Sequence, residues 1–147
     1  MKAFRFPLER VLGWRHLQLR AEEERLAALQ HRVDLIHHHI NTLTSAELKS
    51  EWGLLKMSSV TGADLQALNA FQSRVKKQRA GLELDRMQAE KQIAVQRTRL
   101  LKARKDFRIL EKLREKRKTA WTYLSDREVE EAAAEAHMSK LARGGDQ

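Results

Sequence analysis

Three consecutive histidines, His37, His38 and His39, form the run most suggestive of metal chemistry, because imidazole is a common metal ligand. On a helix, successive side chains diverge by about 100°, so these three cannot close on one ion. Spacing selects a better set. His31, Asp34 and His38 fall at i, i+3 and i+7 on one outer face, an arrangement suited to a weak surface site for a transition metal. A solvated polar face is the preferred reading of the same residues, and no metal or other cofactor is expected. Catalytic constellations are also missing. The sequence has no glycine-rich phosphate loop, no nucleophile elbow and no His-Glu-x-x-His pair, so neither an enzyme nor a small-molecule substrate is expected.

The elements that would position these residues follow from composition. The 147 residues include one proline and six glycines, 5% aromatic and 33% charged residues, and are rich in Ala, Leu, Glu, Lys, Arg and Gln. Those residues favour helices, and the profile is that of long helices and coiled coils. The absence of cysteine excludes disulfides and thiolate metal sites and points to a reducing compartment. Residues 1–12 lack the uninterrupted apolar run of a signal peptide, and nothing approaches the ~20 apolar residues of a membrane span. A soluble, intracellular protein is expected.

Periodicity sets the architecture. From Leu8 the pattern steps by four and three through Leu12, Arg15, Leu19, Glu22, Leu26, Leu29, Val33, Ile36, Ile40 and Leu43. Nine of these eleven residues are apolar, and a strict 3.5-residue repeat over five heptads favours a coiled-coil seam. Pro7 suits a helix start. The repeat fails between Ser45 and Gly62, where Ser50, Gly53, Ser58 and Ser59 cluster. Thr61 with Asp64 reads as a variant capping box. A second repeat runs from Leu65 through Leu68, Gln72, Val75, Arg79, Leu82, Arg86, Ala89, Ile93, Gln96, Leu100, Ala103, Phe107, Leu110, Arg114, Arg117 and Trp121 to Leu124.

The expected fold is therefore all-α, a long two-helix antiparallel coiled-coil hairpin with a longer second helix, forming one domain over residues 1–147. Helix 1 is expected over about 7–48, the turn over about 49–61, helix 2 over about 62–140, and a disordered tail over 141–147. At 1.5 Å per residue the helices would span about 60 and 110 Å. A hairpin centred near residue 54 places Leu43 opposite Leu65, Val33 opposite Val75, Leu8 opposite Leu100, and Glu22 across from Arg86. In that register everything past about Lys102 extends beyond its partner helix.

Charge gives that extension its interest. The net charge is +9, and Arg97–Lys118 alone carries 11 basic and 3 acidic residues. Beside it, Phe107, Leu110, Trp121 and Leu124 continue the apolar stripe. The cluster has three readings: a solvated face, a nucleic-acid surface, or a dock for an acidic protein. Few aromatics interleave with it, so base stacking is poorly served. Basic-zipper readers also place their basic stretch ahead of a parallel zipper. A protein dock is preferred and nucleic acid disfavoured. In the turn, Trp52, Leu54, Leu55 and Met57 are expected to fold back over the end of the coil.

Two end motifs carry a resemblance. Phe4-x-Phe6-x-Leu8-Glu9-x-Val11-Leu12 followed by Arg15 resembles the opening of the FliJ family of flagellar type III export. Leu110-Glu111-Lys112-Leu113-x-Glu115-x-Arg117, then Trp121 and Arg127-Glu128, is similar to that family's C-terminal pattern. The resemblance implies a stalk-like antiparallel coiled coil that inserts into the hexameric export ATPase, contacts the cytoplasmic domain of the export-gate protein FlhA and escorts export chaperones. It implies a cytoplasmic protein peripherally held at the inner membrane. Ring binding would fall to Arg104, Lys105, Phe107, Arg108, Leu110, Lys112, Leu113, Arg114, Arg117 and Trp121. Gate binding would fall to Phe71, Val75, Gln78 and Leu82. Gln78 stands where the family pattern suggests a small residue, and the acidic residues near the C-terminus are shifted. The stalk protein of a virulence-type injectisome and a basic coiled-coil nucleic-acid binder are the alternatives.

Overall fold

The structure is a computed structural model that describes residues 1–145. Two helices make up most of it, α1 at Glu9–Leu55 and the longer α2 at Gly62–Gly144, packed together as a helical hairpin. Pro7 precedes α1, and the first bonds run from Glu9 N–H to the Phe6 carbonyl and from Leu12 N–H to the Leu8 carbonyl. The N-terminus of α2 is closed by a reciprocal capping box. Asp64 N–H donates to Thr61 Oγ1 at 3.2 Å, and Thr61 N–H donates to Asp64 Oδ2 at 3.0 Å. The Thr61 N–H donated to the Asp64 carboxylate, and after it the Thr61 side chain, hold that carboxyl below its ordinary pKa.

The turn is shorter than expected. α1 runs on through Ser50 and Gly53 to Leu55, leaving only residues 56–61 between the helices. A single glycine inside a helix costs about 1 kcal/mol, and here that cost is offset by the seam. Gln72 Nε2 donates to Glu51 at 2.7 Å, and Arg79 is ion-paired with Glu47. Glu47, Ser50, Glu51 and Leu54 thus continue the seam where the sequence pattern suggested that it had ended. At the other end α2 includes residues 141–144, expected as tail; residues 146–147 lie outside the described residues.

A displaced turn shifts every partner, and the expected register is corrected accordingly. Glu22 faces Gln96, not Arg86: Gln96 Nε2 donates to the Glu22 carbonyl at 3.1 Å and also reaches its carboxylate. Arg86 instead pairs with Glu83 of its own helix at 2.8 Å, leaving its buried Nε without an acceptor among the described residues. Val33 lies with Glu90, Ile93 and Arg97, not with Val75. Arg114 Nε donates to Glu9 at 2.9 Å. These α1 residues meet α2 between about one and a half and two and a half heptads beyond the expected positions.

The contacts divide the chain into two units, and each is antiparallel. The turn-side unit, Arg20–Leu101, holds Ile36, Val75, Ala89, Ile93, Gln96 and Leu100 as its buried residues. Val75 is only 2% exposed and Gln96 4%. The other unit joins residues 1–19 to the chain from Lys102 onward, and Phe6 is its buried side chain among the described residues. Every expected α1 seam residue from Leu8 to Leu43 is at least partly covered, as are the α2 seam residues from Leu68 to Arg114.

Candidate protein-docking surfaces

The basic stretch is not an overhang. In the unit built from the chain ends, residues 1–7 run beside α2 as a strap, and α1 follows it. Trp121 Nε1 donates to the Lys2 carbonyl at 3.1 Å, and its ring lies 6.0 Å from that of Phe4. The Arg114 and Arg117 guanidiniums sit 5.9 Å from the Phe4 and Phe6 rings, within cation–π range. Below them His16 meets Phe107 at 5.3 Å, and Arg15 bonds Asp106 at 3.2 Å. A loosely filled groove of about 790 Å³ lies between the strap and Trp121.

This geometry sorts the ten ring-binding candidates by face. Phe107, Leu110, Leu113, Arg114 and Trp121 are half-buried, and Phe107, Arg114 and Trp121 are in direct contact with α1 or the strap. They serve as seam residues in this unit, which corrects the expectation of an uncovered apolar stripe for Phe107, Leu110 and Trp121, while Leu124 is exposed. Arg117 is exposed but stacked on Phe6. Arg104, Lys105, Arg108 and Lys112 are exposed. The last three recur at i, i+3 and i+7, one helix face, and exposed Ile109 flanks that face. The combination is an outward basic stripe with an apolar margin, suited to an acidic partner with a partly apolar surface.

The four gate candidates divide differently. Val75 is core and unavailable to a partner, and Leu82 is half-buried. Gln78 is exposed. Phe71 is half-buried and lines a groove of about 440 Å³ with Leu54, Met57, Ala67 and Leu68 at the turn end. Gln78 is therefore the most accessible of the four, Phe71 and Leu82 are partly accessible, and Val75 is not.

The turn did not fold back over the coil as expected. Leu54 alone of that set is partly covered; Trp52 is 61% exposed and Leu55 78%. Sequence periodicity also gave no sign of the exposed Trp14, over which the Arg15 guanidinium lies at 4.9 Å. An outward heptad position looks polar on average, so single exposed aromatics escape a search for seams.

The histidine face carries no cluster. His31, Asp34 and His38 are all exposed, and among the described residues no three His, Cys, Asp or Glu side chains are placed to hold a metal ion. No helix among the described residues is long and apolar enough to cross a membrane.

Comparison with known proteins gives one result. No curated protein and no solved structure matches the chain. Residues 4–138, a span that begins at Phe4 of the strap and takes in both end motifs, match the family model described as Flagellar FliJ protein, and the chain therefore belongs to the FliJ family of flagellar-type, export-associated coiled-coil proteins.

Proposed function

We propose that the protein is a non-enzymatic, stalk-like component of flagellar type III export that binds the hexameric export ATPase and promotes its assembly and activity. The observation that carries this reading is the outward stripe of Lys105, Arg108 and Lys112, exposed and without an ion pair among the described residues. Positive charge of this density accelerates encounter with an acidic surface and makes association sensitive to salt. The apolar margin at Ile109 supplies area that slows dissociation once docked. Family membership supports the flagellar system over an injectisome.

Within the same proposal, the groove at Phe71 with exposed Gln78 is the contact for the cytoplasmic domain of FlhA, and the protein also escorts export chaperones. Peripheral placement at the cytoplasmic face of the inner membrane follows from those partners.

Charge reversal of the stripe, Arg108→Glu with Lys112→Glu, should slow association with the ATPase about tenfold at low salt and reduce its stimulation. Helicity should be unchanged, because neither side chain packs in the seam. Full-strength binding and stimulation by that variant would overturn the docking assignment. Phe71→Ala should weaken binding to the gate domain while leaving ring stimulation intact.

A further inference from the structure

The turn end of the Arg20–Leu101 unit carries a patch that, apart from Met57 at the edge of the Phe71 groove, the export reading does not use. Leu48, Trp52 and Leu55 stand at i, i+4 and i+7, one stripe on the last turns of α1. Met57 and Val60 follow in the turn, and Leu65 stands in the first turn of α2. All six are exposed. Six large apolar side chains around one chain reversal exceed the scattered exposure of an ordinary surface.

The charges around the patch are unequal in their freedom. Between residues 45 and 77 the acids are Glu47, Glu51 and Asp64, and each is engaged. Glu47 pairs with Arg79, Glu51 accepts from Gln72, and Asp64 is held in the capping box. The bases Lys49, Lys56, Arg74, Lys76 and Lys77 are exposed and make no ion pair among the described residues. Of these acids only Glu47 has its charge cancelled by a cation; set against the remaining carboxylates of Glu51 and Asp64, the five bases leave this end net positive, and it borders an apolar surface containing a tryptophan.

We infer that this end of the hairpin docks directly on an anionic lipid bilayer. Leu55, Met57 and Val60 enter the acyl boundary, Trp52 lies at headgroup depth, and Lys49 and Lys56 meet lipid phosphates. Each part has its physical cause. Indole prefers the interface because its ring is apolar and its N–H needs a polar partner. Lysine stems lie along apolar surface while their ammonium groups stay among the headgroups. Shallow insertion of an apolar edge combined with basic attraction is enough for reversible binding, with no spanning helix. The inference deepens the peripheral placement proposed above but needs no export protein.

Vesicles alone test it. The full chain should co-sediment with vesicles rich in phosphatidylglycerol. Phosphatidylcholine vesicles should bind it roughly 25-fold more weakly, at about fivefold for each of two lysines. Trp52→Ser with Leu55→Ser should reduce phosphatidylglycerol binding at least about tenfold with circular dichroism unchanged, since both side chains are already in solvent. With Trp52 as the single tryptophan (Trp14→Phe, Trp121→Phe), its emission should shift to the blue on vesicle addition. Binding that ignores Trp52 and Leu55 would overturn the inference and move the contact to the Arg97–Lys118 stretch. Absence of binding to any vesicle would also overturn it and leave the patch as a protein interface. Neither failure touches the ring proposal, because the assay contains no ATPase.

Discussion

In the turn-side unit the buried side chains are chiefly aliphatic, with Val75, Ala89, Ile93 and Leu100 closing on α1 residues such as Ile36. In the unit formed by the chain ends, Phe6 alone is buried among the described residues, and the helices are joined by Arg15–Asp106, Glu9–Arg114 and rings stacked under guanidiniums. Polar links such as Glu47–Arg79 cross the turn-side seam too, but there they accompany a buried aliphatic core, so the two units differ in the proportion of two kinds of adhesive. Aliphatic burial is insensitive to salt and scales with area. Exposed ion pairs are worth little each and weaken as salt rises. The difference assigns stability to one unit and adaptability to the other, and the adaptable one carries the basic stripe.

The comparison breaks most readily at its strongest point. Ile93→Ala in the aliphatic seam should cost about 3 kcal/mol in urea unfolding. A loss below about 1 kcal/mol would show that the turn-side unit does not depend on its core. Phe6→Ala should cost no more than about 3 kcal/mol, the low end for a phenylalanine, and act locally. Amide exchange over residues 105–121 should accelerate while residues 75–100 stay protected, and uniform acceleration would erase the distinction between the units.

Asp106→Ala should cost about 0.5 kcal/mol, since both partners are about one-third exposed. High salt should abolish the difference from the parent chain. The smallest effect belongs to Asp64. Its folded pKa is depressed, so its contribution is present above the unfolded value and is lost as pH falls through the folded one. Fraying of the first turn of α2 should therefore appear only in acid, and Asp64→Asn should remove that pH dependence in an NMR titration.

The fold class was legible in the sequence, because heptad spacing reports directly which positions face a partner. Leu8 to Leu43 and Leu68 to Arg114 all turn inward to some degree. The register was not legible from apolar spacing, since a slide by whole heptads keeps apolar positions facing one another. Polar seam residues held the missing information. Gln72 and Arg79 occupy seam positions and required polar partners, and Glu51 and Glu47 were available just before the turn. Glu51 and Glu47 instead looked like the failure of the repeat. That misreading moved the turn and turned the basic stretch into an overhang. Leu48, Trp52 and Leu55 share helical spacing, but spacing does not distinguish an exposed stripe from a covered one, and exposure at a chain reversal depends on where the turn falls.

The strap has a consequence for how the hairpin comes together. The bond between Trp121 and Lys2 joins residues 119 apart in the chain, whereas that between Gln72 and Glu51 joins residues 21 apart. Loop-closure entropy rises with separation, so contacts beside the turn form at the smallest entropic cost and each one shortens the loop left to close. Folding should then run as a zipper from the capping box outward, with the aromatic strap as its last tooth. Unfolding should start where the zipper ended, so the first segment released would be the one that covers Trp121.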